Sequence, residues 1–593
     1  MEDLLERLRN FPAVGSPQTA QTADGTDAAT IKWPAERFAR EDWAEADVRF
    51  VARPERLEHV WRSAVYRLIR ECVVPLGGRP ALIEGGVYRG CWLESTGTIN
   101  AEVASRFMPR VAENTFRLFA DFRRDDGLLP YKVTEDGPVY RQVQIVTPLA
   151  RSVYRHWRLQ GGRRDFAEQP DRSHHSDDGR IGRGEGDASG TDDKAFLQDM
   201  YEAIVRFDEW LTTQRNTRGT GCVEAFCCFD TGHDMSPRFW HMPDTPHLGD
   251  AARFDPDSPF LPLLAPDMTA HTFCQRRYLA KIAEALGLAG EASAWDQAAT
   301  RTLEALWRHC YDECDGFFYD RDRHGRFVRV QSDVLLRVLA CEVGDRAFFD
   351  ACLSRYLLNT RKFFAKYPPT SLAMDDPRFD RFADRNSWGG PTNFLSLLRA
   401  PDAFDLHGRH VEWTWIARPT LAAAVRMTKF SQCLDPWTGE EGYTESYAPA
   451  MLCVLDTVER TCGVMPTPEG KLWWTGLLPN ALERGETIAE ATAYGRTVDG
   501  ARFELVVGRD VCTAYRDGER LFEFSYGLRV VTDRSGAPEA IVGMVPRRVE
   551  GIVKLWPRSR EYRVSVGGNE VWRLESDRFV RAEAPGVVWP TFE

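Results

Sequence analysis

A change of hydrophobic period near Trp474 divides this chain into two kinds of structure. From about Glu55 to about Val464, apolar residues recur at three- and four-residue spacing, the signature of helices with one buried face. Val103 to Phe122 shows it clearly, and the texture returns in Ala195 to Trp210, Thr272 to Leu286, Ala294 to Cys310, Val334 to Val343, Ala347 to Leu357, Trp415 to Met427 and Pro449 to Thr461. Paired helices of this number suggest either an open solenoid or a closed double ring. No fixed-period repeat is visible, which favours the ring. After about Trp474 come short runs such as RFELVVGR, RLFEFSYGLRVVT and EYRVSVGG, separated by turn signals that include Asp517-Gly518 and Gly567-Gly568-Asn569. Those runs read as strands of a small sandwich. The division expected is an N-terminal extension (1–54), a helical domain (55–474) and an all-β domain (475–593).

Composition narrows the function classes. At 593 residues the chain is long enough for one large ring of helices plus an accessory domain. A formal charge of −12, with no compensating basic patch, argues against nucleic acid and anionic membranes as partners. The first residues lack a basic start followed by an apolar core, and no apolar run approaches the roughly 20 residues that cross a bilayer. A cytoplasmic protein is expected. Fourteen cysteines stand mostly alone, without C-x-x-C brackets, and read as buried thiols in a reducing compartment. Gly161 to Asp193, rich in Gly, Ser, Asp and Arg and nearly devoid of apolar residues, reads as a disordered surface loop. Its His174 and His175 are read as part of that loop and not as metal ligands.

In a closed ring of helix pairs, loops at one end converge on a central pocket. The polar loops therefore belong together: Arg89 to Thr98, Arg123 to Lys132, Tyr140 to Pro148, Phe229 to Phe239, Asp315 to Asp322, Arg385 to Phe394 and Asp435 to Pro449. Each mixes carboxylates, amides or arginine with aromatic rings. Aromatic faces stack on the C–H faces of a sugar, and carboxylates and amides take its hydroxyls, so a small carbohydrate is the expected substrate, with no cofactor and no metal.

The order of these loops resembles the glycoside hydrolases of family 63, among them processing α-glucosidases and mannosylglycerate or glucosylglycerate hydrolases, and more distantly the trehalases. Asp230-Thr231-Gly232-His233-Asp234-Met235-Ser236-Pro237-Arg238 is similar to the family's E-S-G-x-D-x-S-P-R segment, and DDGLLPY, DGFFYDRD and GPTN resemble further landmarks. The resemblance spans roughly Arg89 to Val464. It implies an (α/α)6 barrel and inverting hydrolysis of an α-linked glucoside or mannoside, with Asp234 as general acid. Asp230 would fix the loop or bind a hydroxyl, and Arg238 would hold a carboxylate by a bidentate pair.

Two departures from the family pattern stand out. Relatives carry the base in F-x-E-x-x-D-P-x-T-G, whereas this chain has Gln432 between Phe430 and Asp435-Pro436-Trp437-Thr438-Gly439, and an amide takes no proton from water. Glu445, flanked by Tyr443 and Tyr447, is the preferred substitute, with Glu440, Glu441 and Glu412 as alternatives. Loss of hydrolysis, leaving a silent carbohydrate-binding protein, is the rival reading. Relatives also have W-x-W-D where this chain has Cys91-Trp92-Leu93-Glu94. The expected site is completed by Trp92, Glu94, Gln142, Asn393, Tyr443 and Trp388, the last as a stacking platform.

Overall fold

The computed structural model describes residues 2–11, 34–161, 189–480, 487–557 and 560–592. Most of the loop expected at 161–193, including His174 and His175, lies outside them. The helical region starts with Arg56–Cys72, whose buried face is Leu57, Val60, Trp61, Ala64, Val65, Leu68, Ile69 and Cys72. These positions recur every three or four residues, so one stripe of a helix with 3.6 residues per turn is apolar. Helices Pro109–Asp121, Leu149–Leu159, Ser189–Gln214, Pro266–Ala285, Ala289–Cys310, Phe394–Leu406 and His410–Ala424 follow the same rule to different degrees. The final one, Ala448–Cys462, is buried on nearly every side. It packs against Arg56–Cys72 and Phe394–Leu406, so the first helix of the region lies on the last.

The all-β part consists of a seven-stranded and a six-stranded antiparallel sheet. Trp474 lies between them: it belongs to strand Lys471–Thr475 of the smaller sheet, and its ring meets the edges of Phe503 and Phe522 of the larger one at 5.7 and 5.1 Å. Strands also enter this part from before the expected boundary at 474, at either end of the helical region. Arg49–Arg53 pairs antiparallel with Ala491–Val498 at the edge of the larger sheet, and Val464–Pro466 starts the smaller sheet directly after the last helix. A buried ionic knot joins the two regions. Glu459 of the last helix pairs with Arg106 and Arg496 and accepts from the Tyr494 hydroxyl at 2.8 Å. Among the described residues no helix is long and apolar enough to cross a membrane.

Candidate active site

Two buried knots hold the segment from Phe229 to Phe239. Asp230 accepts from Arg215 Nη1 and Nη2 (2.6 and 3.3 Å) and from the backbone N–H groups of Phe226 (2.7 Å), Cys227 (3.2 Å) and Val143 (3.3 Å). These bonds occupy its lone pairs, so Asp230 clamps the loop and has nothing left for a sugar hydroxyl. Arg238 directs Nε and Nη2 to Asp320 (both 2.7 Å), Nη1 and Nη2 to Asp267 (2.8 and 2.9 Å), and Nη1 to Nδ1 of His233 (2.9 Å). A guanidinium has five N–H donors, and all are engaged. The bidentate grip expected of Arg238 is made twice, on the protein's own Asp267 and Asp320, which leaves no N–H of this arginine for a substrate. Because His233 Nδ1 accepts from Arg238, its Nε2–H donates to Asp333 (2.5 Å), and burial pushes the ring's pKa down to about 3.

Between the knots the chain turns through Gly232 (φ 65°) and Met235 (φ 60°). Glu94 accounts for the glycine: a Cβ at position 232 would lie 2.7 Å from Glu94 Cδ, closer than real contacts permit. Glu94 is buried and accepts from Arg399 Nη2 at 2.7 Å. Asp234 follows this close approach. Its Oδ2 accepts from Asn386 Nδ2 at 2.6 Å, and its Oδ1 is buried with no protein partner. Burial, then repulsion by Glu94, push its pKa up to about 7 against the pull of Asn386 and Arg337. A carboxyl that retains its proton near neutral pH is what general acid catalysis needs.

Gln432 belongs to the same network. Its Oε1 accepts from the Tyr88 hydroxyl (2.8 Å) and its Nε2 donates to Asn386 Oδ1 (3.0 Å). One asparagine amide thus separates Gln432 from Asp234, a span within about 8 Å from standard bond lengths.

The other expected residues are distributed unevenly. Trp92 is half-buried beside Tyr88 (ring centroids 5.7 Å), and Tyr443 lies across Tyr88 at 6.5 Å, giving an aromatic wall next to Gln432. Trp388 is buried, with the His233 ring at 4.8 Å and the Arg337 guanidinium over its face at 4.6 Å. Its backbone N–H binds the Asp234 carbonyl (3.2 Å), so it supports the Asp234 loop and is not an open platform. Asn393 caps helix Phe394–Leu406 through Leu395 N–H (2.9 Å), leaving its buried Nδ2 unpartnered. Gln142 donates to Gln144 (3.0 Å) and keeps an unpartnered buried Oε1.

Glu445 is exposed and lines an open cavity of about 530 Å³ with Glu71, Arg89, Asp384, Lys429 and Tyr443. Its neighbours Thr444 (φ 63°) and Ser446 (φ 48°) are both left-handed, a sharply turned backbone that presents Glu445 to solvent. Of the alternatives, Glu440 is exposed, Glu441 caps the N–H groups of Thr428, Lys429 and Phe430, and Glu412 binds Asn569 and Val588 of the β region. Glu224, close in sequence to Cys222, Cys227 and Cys228, accepts from Thr217 and Arg218. Among the described residues no group of three or more His, Cys, Asp or Glu is placed to hold a metal ion.

Sequence reading missed Asn386, Tyr88, Arg337, Arg399 and Glu84. Glu84 is buried near Glu94, and burial with that like charge pushes its pKa up to about 7. Asn386 and Tyr88 lay inside or beside loops already singled out, but nothing in their spacing marked them as partners.

A carboxyl whose pKa is pushed up to about 7, with one oxygen free of protein partners, set among amides and aromatic rings on a helical frame, is a centre suited to proton transfer in glycosidic bond cleavage. The profile of the mannosylglycerate hydrolase MGH1-like glycoside hydrolase domain matches residues 88–448, and the chain belongs to that family. No curated protein matches it in sequence. In fold it is similar to the GH63 mannosylglycerate hydrolase from Thermus thermophilus in complex with Tris (16% identity, 67% of this chain and 99% of that one, TM-score 0.52). The same enzyme with Tris and D-glycerate gives 17% identity, the same coverage and a TM-score of 0.51. A sialidase aligns over 88% of this chain and 44% of its own, at 12% identity and a TM-score of 0.58.

Proposed function

We propose that the chain is a cytoplasmic (α/α)6-barrel glycosidase that hydrolyses a small α-linked glucoside or mannoside with inversion. The helices of residues 55–474 would form the barrel, and the contact between its first and last helices supports closure. The observation that carries the reading is Asp234, a carboxyl whose pKa is pushed up to about 7 and whose Oδ1 is free of protein partners. Asp234 protonates the leaving oxygen. Glu94, which packs against the Asp234 loop at Gly232 and is held by Arg399 Nη2 (2.7 Å), is the second carboxylate. Glu445 is the rival, to be reached from the open cavity.

A proton NMR time course tests this with α-linked disaccharides, trehalose, glucosylglycerate and mannosylglycerate as substrates. The β-anomer of the released sugar is expected first, with Glu94→Gln inactive and Glu445→Gln active. First appearance of the α-anomer would overturn inversion. Ligand line-broadening without product would favour the silent carbohydrate-binding reading, which Gln432 motivates.

A further inference from the structure

Four side chains from separate segments form one hydrogen-bond chain. Tyr88 O–H donates to Gln432 Oε1 (2.8 Å), Gln432 Nε2–H to Asn386 Oδ1 (3.0 Å), and Asn386 Nδ2–H to Asp234 Oδ2 (2.6 Å). Every donor points the same way, and the chain ends on the carboxyl. We infer that Tyr88, Gln432 and Asn386 are positioning residues that decide which oxygen of Asp234 carries the proton: Oδ2 is held as an acceptor, and the acidic proton sits on Oδ1. This rests on Asp234 being the general acid. In the reaction, the proton passes from Oδ1 to the glycosidic oxygen as the bond to the anomeric carbon breaks, and Asp234 is left ionised with Asn386 N–H still bonded to it.

The direction of the chain follows from the inventory of donors. Each amide has a donor end and an acceptor end, so the chain can run in only two senses. In the reverse sense Asn386 Oδ1 would face Asp234 and pin the proton on Oδ2, and Gln432 Nε2–H would face Tyr88. The Tyr88 hydroxyl makes its bond to Gln432, and in the reverse sense this half-buried O–H would lose that acceptor. Burial and the charge of Asp234 also raise the Tyr88 pKa, so the phenol keeps its proton.

The amide at 432 is required. A carboxylate there has no N–H and would accept from both Tyr88 and Asn386, turning Asn386 round. The other charged or titratable groups that face Asp234 are Glu94, Arg337 and Cys228, and the hydrogen bond to its carboxyl comes from Asn386.

The test is a carboxyl carbon NMR titration of the full chain labelled at aspartate, with the Asp234 signal assigned by its loss in Asp234→Asn, alongside the pH profile of kcat/KM. Asn386→Leu is expected to raise the Asp234 pKa by about one unit, because Oδ2 loses its donor. Gln432→Glu raises it further. Tyr88→Phe raises it in the same direction by a smaller step, although Tyr88 makes no hydrogen bond to Asp234. Phenylalanine preserves the ring contacts to Trp92 and Tyr447 (5.7 and 5.9 Å), so this variant carries the test if Asn386→Leu does not fold. An unchanged titration in Tyr88→Phe overturns the inference, and so does a kcat/KM loss in any of the three with no shift of the carboxyl. The titration needs no turnover, so absence of glycosidase activity would sink the proposed function and not the relay.

Discussion

Replacing the candidate acid by its amide, Asp234→Asn, should remove activity and at the same time strengthen the fold. An ordinary aspartate titrates near 3.9, whereas burial and Glu94 raise Asp234 to about 7. The folded state therefore binds the proton more tightly than the unfolded chain. Stability is lost as pH rises from about 4 to about 7 and the loss is constant above that. Three units correspond to at most about 4 kcal/mol, and because the side chain is only partly buried, solvent screening brings this to about 2 kcal/mol. Asparagine carries no charge and can still accept from Asn386 through its carbonyl oxygen. Urea midpoints with unchanged slope should show the variant more stable by about 2 kcal/mol at pH 8, with the gain gone by pH 4. Turnover should fall by about a thousandfold. A variant no more stable than the parent at pH 8, or equally stabilised at pH 4, would refute the claim that the native carboxyl is held where its charge is disfavoured.

Three further outcomes are expected. Gly232→Ala combines a left-handed φ of 65° with a Cβ 2.7 Å from Glu94 Cδ, and should cost about 1–3 kcal/mol in urea unfolding while lowering kcat through the displaced Glu94. Arg238→Met leaves Asp320 buried without its cation and Asp267 with only Arg337 at 3.6 Å, and should cost about 3–5 kcal/mol; a loss below about 1 kcal/mol would mean the two carboxylates are neutralised in another way. The pH profile of kcat/KM should fall about tenfold per unit above pH 7, because the acid must be protonated, and a flat profile between pH 6 and 8 would remove Asp234 from that role.

Much of the architecture is legible locally. A helix such as Arg56–Cys72 declares itself because residues three and four apart share a face, and strands such as Ala501–Val507 and Val511–Arg516 declare themselves through β-branched and aromatic runs between turns. The segment around Asp234 also stands out, since a cluster of polar residues between phenylalanines interrupts a helical texture. Other features had no local signal. The strand Arg49–Arg53 lies far in sequence from Ala491–Val498, with which it pairs.

For the site, the sequence by itself determined which residue types were on hand: acids, amides and aromatic rings in loops of a helical region. The tertiary structure alone decided their employment. Asp230 and Arg238 are consumed by Arg215, Asp267 and Asp320, Trp388 is buried beneath Arg337, and Glu445 faces solvent. Asn386, 152 residues from Asp234, is the donor that meets it. The physical reason is that secondary structure follows from neighbours a few residues away. A side chain's protonation and availability follow instead from desolvation and from the donors and acceptors that the fold brings within about 3 Å.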